Sequence, residues 1–156
     1  MRHYHCNSSE AAGRILAACL LSDGHLGLTE LEALDRCGME RRLLLNRSRL
    51  LSILQSLYED LTRCGYLSWS HVCQVDPATL AWLAADVHDG QLRRDIIDLC
   101  NEAVMADRSY CDREATFLRL LRDAWQLPAP SRRAHRDVAA DNKKRSRLVG
   151  NERQQR

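Results

Sequence analysis

The sequence predicts an all-α protein, a compact bundle of about six to seven helices built from two pseudo-symmetric halves and followed by a disordered C-terminal tail. Three observations carry this. Apolar residues recur at the helical period along most of the chain, and no stretch alternates convincingly as a strand would. Helix start and stop signals fall at the ends of those periodic stretches. With three Pro and seven Gly in 156 residues, a turn-rich β-sandwich is excluded. The length suits one domain. Apolar residues make up 45% of the chain but include only three Trp, four Tyr and one Phe, so the core is aliphatic.

The first helix has Ser8 or Ser9 as its N-cap and Glu10 in its first turn, with Ile15, Leu16, Cys19 and Leu20 on one face. It stops near Ser22, because Asp23-Gly24 is turn chemistry. Thr29 and Glu32 read as a capping box opening a second helix through about Arg36, before Gly38. A long third segment, from about Glu40 to Cys64, carries a leucine face that includes Leu43, Leu50, Leu57 and Leu61, with Asn46–Ser48 as a point of interruption. Asp76-Pro77 places a cap before a first-position proline and opens a fourth helix. Gly90 separates it from a fifth, Gln91–Ala106, on which Ile96, Ile97, Cys100, Ala103 and Val104 keep the helical period. Asp112 caps a sixth, through Phe117, Leu118, Leu121 and Trp125, which ends before Pro128 and Pro130. The organisation read from this is a flexible N-terminus over 1–8, a helical domain over 9–127 and a basic tail over 128–156.

The net charge of +2 is a cancellation. Residues 128–156 hold nine basic and three acidic residues, a net of +6; residues 1–127 hold 14 basic and 18 acidic, a net of −4. No stretch approaches the roughly 18–20 apolar residues of a bilayer span, and the start, MRHYHCNSSEAAGR, lacks the apolar region of a secretory signal. Seven cysteines with no CxxC pair argue against a disulfide scaffold or zinc ribbon, and buried reduced thiols in the cytoplasm are the expectation.

A faint internal repeat gives the acidic residues a pattern. Offset by 84 positions, AACLLSDGHLGLTELEAL (17–34) lies over NEAVMADRSYCDREATFL (101–118), matching Asp23 to Asp107 and Glu30 to Glu114. Each copy reads as a helix end, an Asp, six residues and a Glu in the next helix's first turn. Asp at a helix C-terminus opposes the macrodipole, so Asp23 and Asp107 do not stabilise the helices they follow. If the two units pack about a pseudo-two-fold axis, the four carboxylates converge, raising one another's pKa unless a cation neutralises them. All-oxygen ligation then favours Ca²⁺ or Mg²⁺. The alternative is four solvated charges at turns and helix starts, since the ligand series of an EF-hand is absent.

SDGHLGLTELEAL and MADRSYCDREATFLRLLRDAWQL resemble the signature of TerB-like tellurite-resistance proteins, an acidic turn and a short loop before an acidic helix start. The middle segment DPATLAWLAADVHDGQLRRDIIDLCNEAV is similar to that family's middle helices. The resemblance covers roughly residues 10–127. It implies a helical bundle of two related halves in a cytosolic bacterial protein, with a non-catalytic role in stress response or as a scaffold. It also implies a divalent-metal site at Asp23, Glu30, Asp107 and Glu114. The chain departs from the family pattern at Arg108, a cation beside Asp107 where Gly is usual.

Two other readings compete. AADVHDG resembles the core of HD-type metal phosphohydrolases, with His71, His88, Asp89 and Asp107 as the ligands of a water-activating metal. The spacing from His71 to His88 is short for that family, and Gly90 makes His88-Asp89 an ordinary helix boundary. The third reading is binding through basic residues. Arg42 and Arg49, seven apart, share one helix face as a dock for an acidic partner or phosphate. In the tail, Arg132, Arg133, Lys143, Lys144 and Arg145 would give salt-sensitive attraction to nucleic acid or an anionic membrane surface. A protein partner is expected in either non-enzymatic case.

Overall fold

The computed structural model describes residues 2–22, 26–63, 76–106 and 112–128. Within them lie seven helices: α1 (Ser9–Leu20), α2 (Leu28–Arg36), α3 (Met39–Leu43), α4 (Arg47–Arg63), α5 (Pro77–Ala85), α6 (Gly90–Ala106) and α7 (Asp112–Ala124). The described residues contain no strand, as the periodicity predicts. None of the described helices is long and apolar enough to cross a membrane. Cys6, Cys19, Cys37 and Cys100 are free thiols; the other three cysteines lie outside the described residues.

Helix α1 is the centre of the bundle. Every residue from Ala11 to Leu20 is buried, because α1 packs against α4, α5 and α6 and touches α3 and α7. A helix that is apolar almost all round can only be satisfied by burial on all sides. Its start is set by Ser8, whose Oγ accepts the Ala11 N–H at 3.1 Å. The approach of α4 is close: a Cβ on Gly13 would lie 2.8 Å from Ile53 Cδ1 and 3.0 Å from Leu45 Cδ2.

The structure departs from the sequence reading at two helix starts. Helix α2 begins two residues before the predicted Thr29–Glu32 box, with Gly27 as N-cap. The carboxylate that reaches back is that of Glu30, whose Oε2 accepts the Gly27 N–H at 2.7 Å. The long third segment is broken into α3 and α4 at Leu44–Asn46, slightly before the interruption expected at Asn46–Ser48. Leu44 takes the left-handed conformation (φ +53°), and Asn46 Oδ1 then accepts the Arg49 N–H at 2.9 Å to start α4. The bend lets α3 lie on α6 while α4 lies on α1.

Helix α5 starts as predicted. Asp76 Oδ1 accepts the N–H groups of Ala78 (2.9 Å) and Thr79 (3.0 Å), and Pro77 fills the first turn. The Thr79 hydroxyl bond, foremost, and these backbone bonds hold the Asp76 carboxyl below its ordinary range, against its burial. A carboxyl lowered in this way stabilises the fold above the unfolded-state Asp pKa of about 3.9, and the contribution disappears as pH falls through the folded-state value. Asp76→Ala is therefore expected to cost about 1 kcal/mol at neutral pH. The difference from wild type should shrink below about pH 3.5, measured by urea unfolding at both pH values. At the far end, Trp125 of the α7 terminus donates its Nε1–H to the Ala84 carbonyl at 3.0 Å and ties α7 to α5.

Residues Arg2–Ser8, for which the periodicity gives no element, lie as an arm across the bundle. Arg2 reaches α4, His3 meets Trp82 of α5, and Asn7 bonds the turn between α5 and α6.

Candidate functional site

The predicted carboxylates divide between described and undescribed residues. Glu30 and Glu114 are described; Asp23 and Asp107 lie outside the described residues, as do Arg132, Arg133, Lys143, Lys144 and Arg145 of the tail. Glu30 and Glu114 are both buried, at 4% and 2% exposure, although each stands in the first turn of its helix, where a carboxylate is usually solvated. Burial of a carboxylate is costly unless hydrogen bonds or charges compensate it, and Glu30 has the Gly27 N–H as one such partner.

Their charges both reach one buried thiol. Cys19, in the last turn of α1, and Cys100, in the middle of α6, are buried neighbours where those central helices pack. The Cys19 thiol is held well above its ordinary range. Its hydrogen bond with Cys100 is the first cause and burial the second, followed by the electrostatic effects of Cys100, Glu114 and Glu30. One thiol therefore feels the glutamates of both units. Among the described residues, no three His, Cys, Asp or Glu side chains stand close enough together to hold a metal ion. Glu30 and Glu114 supply two donors, and a complete oxygen site would require Asp23 and Asp107 as well.

Arg42 and Arg49 do not form a shared anion-binding face. The break at Leu44 puts them on different helices, and each meets carboxylates of its own. Arg42 is bound to Asp95 (Nη2–Oδ1 2.7 Å) and Asp98 (Nη2–Oδ2 3.0 Å) of α6. Burial works against its charge and is outweighed by these bonds, so its pKa is raised. Arg49 meets Glu10 of α1 at 2.9 Å, and that hydrogen bond lowers the Glu10 pKa. Arg47 stands 3.2 Å from Asp35 as an ion pair by distance, but its Nε and Nη2 make no hydrogen bond of good geometry. These pairs fasten α3 and α4 to α6, α1 and α2, and each partly exposed pair contributes about 1 kcal/mol or less.

His88 and Asp89 are built into the chain's architecture. Their backbone N–H groups donate to Asn7 Oδ1 at 2.6 and 2.9 Å, and Asp89 Oδ1 caps α6 by accepting the Leu92 N–H at 2.7 Å. The His88 residue is exposed; His71 and Asp107, its expected co-ligands, lie outside the described residues.

A second polar centre was not anticipated from sequence. Arg14 of α1 is 2% exposed, and its guanidinium lies 4.7 Å from the Trp82 ring centroid and 5.4 Å from that of Tyr4. Its Nη1 donates to the Arg2 carbonyl at 2.9 Å, with Asp86 4.0 Å away. Burial lowers the Arg14 pKa, and Asp60, Tyr4 and Asp86 oppose that loss. The signal available in the sequence was a lone cation inside the otherwise apolar run AAGRILAACL.

Compared with protein-family models, curated proteins and solved structures, the chain matches none.

Proposed function

We propose that the chain is a non-catalytic, TerB-like interaction module of the cytoplasm in which a divalent cation, Ca²⁺ or Mg²⁺, joins two helix-loop-helix units. The observation that carries this reading is the burial of Glu30 and Glu114 at matched positions of the repeat, with the charge of each felt at the Cys19 thiol. Two buried carboxylates attract a cation, which would add to the partners that each already has. The donor chemistry fits a hard ion: Glu30 and Glu114, with Asp23 and Asp107 seven positions before each in the sequence, would make an all-oxygen set. When bound, the cation supplies charge neutralisation and a cross-link. The chain's own part is to hold each glutamate at the start of its helix, as the Gly27–Glu30 bond does for α2.

The use of Asp89 as a helix cap, with His88 exposed on a tightly bonded turn, supports the non-catalytic reading over phosphohydrolysis. The partner is a protein, met through the surface of the bundle.

A cation at a hundredfold excess over its Kd stabilises the fold by about 2.7 kcal/mol, which appears as a rise of several degrees in Tm. Millimolar Ca²⁺ or Mg²⁺ should therefore raise the melting temperature over that in EDTA, and Glu30→Gln with Glu114→Gln should remove the difference. Gln suits this test because it keeps the capping hydrogen bond while losing the charge. Identical melting curves in EDTA and in both metals would overturn the cation reading.

A further inference from the structure

The arm Arg2–Ser8 occupies a seat with the character of a peptide receptor. Its centre is a main-chain pincer on one residue: the Arg2 N–H donates to Asp60 Oδ2 at 2.8 Å, and the Arg2 carbonyl accepts from Arg14 Nη1 at 2.9 Å. Both jaws are buried charged side chains, Asp60 at 7% exposure and Arg14 at 2%. They read the backbone of an extended segment whatever its side chain, which is how extended peptides gain affinity. Around the pincer, the seat also reads side chains. Glu59 takes the Arg2 guanidinium at 2.7 Å, Trp82 takes the His3 ring edge-on at 5.5 Å, and the Arg14 guanidinium lies under the Tyr4 ring. Beyond them, the Asp86 carbonyl accepts the Asn7 N–H at 2.8 Å, and the arm turns into α1 at Asn7, in the left-handed conformation.

The arm itself contributes little to the core. Residues 2–8 include no aliphatic side chain, and five of the seven are exposed. Polar and ring contacts alone hold it, so it belongs to the part of the molecule that opens at low free energy. Arg14, Asp60 and Trp82 are fixed on α1, α4 and α5 and stay in place when it leaves.

We propose that this seat is a receptor groove for an extended segment of a partner protein bearing an arginine followed by aromatic or imidazole rings, and that the chain's own arm closes it in cis. The acidic Glu59 and Asp60 select the arginine, Trp82 and Arg14 select the rings, and the pincer fixes register. A tethered arm competes at an effective concentration in the millimolar range. The apparent affinity for a partner segment is reduced by the fraction of time the groove stands open.

The test uses the full chain and an acetylated, fluorescent peptide of residues 1–8 with Cys6→Ser, followed by anisotropy. Arg2→Glu sets the arm against Glu59 and Asp60, and should bind the peptide at least about tenfold more tightly than wild type. His3→Ala, which removes only the Trp82 contact, should strengthen binding by a smaller factor; it keeps the proposal testable should Arg2→Glu not fold. N-methylation of the peptide's arginine amide removes the hydrogen that Asp60 accepts and should abolish binding. If the variants, folded by circular dichroism, bind no more tightly than wild type, or the N-methylated peptide binds equally well, the proposal is overturned. EDTA should leave the result unchanged, so this outcome is separable from that of the cation reading.

Discussion

Arg14→Met is expected to destabilise the protein by about 3 kcal/mol. Methionine fills a similar volume, so the loss comes from charge and hydrogen bonding more than from a cavity. In the wild type the guanidinium lies over Trp82, donates to the Arg2 carbonyl, and offsets Asp60 and Asp86. Removing it leaves Asp60 as a buried carboxylate with weaker compensation, the situation in which breaking a buried pair costs most. The arm should be released as well, because its carbonyl partner and the cation beneath Tyr4 disappear together. Urea unfolding reports the stability, and the intrinsic fluorescence of Trp82 and its neighbours reports the arm. A loss below about 0.5 kcal/mol would mean that the arginine is merely tolerated in the core.

Gly13→Leu should be comparably severe, at about 3 kcal/mol, whereas Gly13→Ala should lie within about 1 kcal/mol of wild type. The difference is geometric. A Cβ at this position meets Ile53 Cδ1 at 2.8 Å and Leu45 Cδ2 at 3.0 Å, both side-chain ends that can shift by tenths of an ångström. For alanine that strain is offset by a gain in helix propensity of about 1 kcal/mol. Leucine has no such way out, because Leu45 and Ile53 are themselves buried and α4 cannot withdraw without opening the α1 contact. Paired denaturation curves for the two variants test this, and equal destabilisation would contradict the close approach.

What was legible in the sequence follows from where the chain uses strong local chemistry. Ser8, Asp76-Pro77 and the periodic faces of α6 and α7 are read correctly because cap, proline and period agree. The pattern places the break in the third segment at Asn46–Ser48, slightly later than its position at Leu44–Asn46, because leucine usually avoids positive φ and the apolar period runs on across it. That break also separates Arg42 from Arg49, so a face drawn on one continuous helix does not exist. The shift of the α2 start from Thr29 to Gly27 has a plainer cause, since Glu30 and Glu32 are both carboxylates and the pattern alone does not say which one turns back. The arm leaves no periodic trace because residues 2–8 are held by side chains far away in sequence, such as Asp60 and Trp82.

The candidate site was legible to a different degree. The offset of 84 positions pairs Glu30 with Glu114, and both are buried, with their charges felt at the same thiol. Spacing could not reveal that burial, which depends on α1 and α6 meeting at Cys19 and Cys100. Nor could it reveal Arg14, whose partners come from the arm, α4 and the end of α5.

Calorimetric titration of the full chain with Ca²⁺ and with Mg²⁺ tests the central claim most directly. One cation should bind per chain, and Glu30→Gln or Glu114→Gln alone should weaken binding severely, because each unit supplies half of the ligands. Absence of binding for both ions, or undiminished binding when both glutamates are replaced, would contradict it.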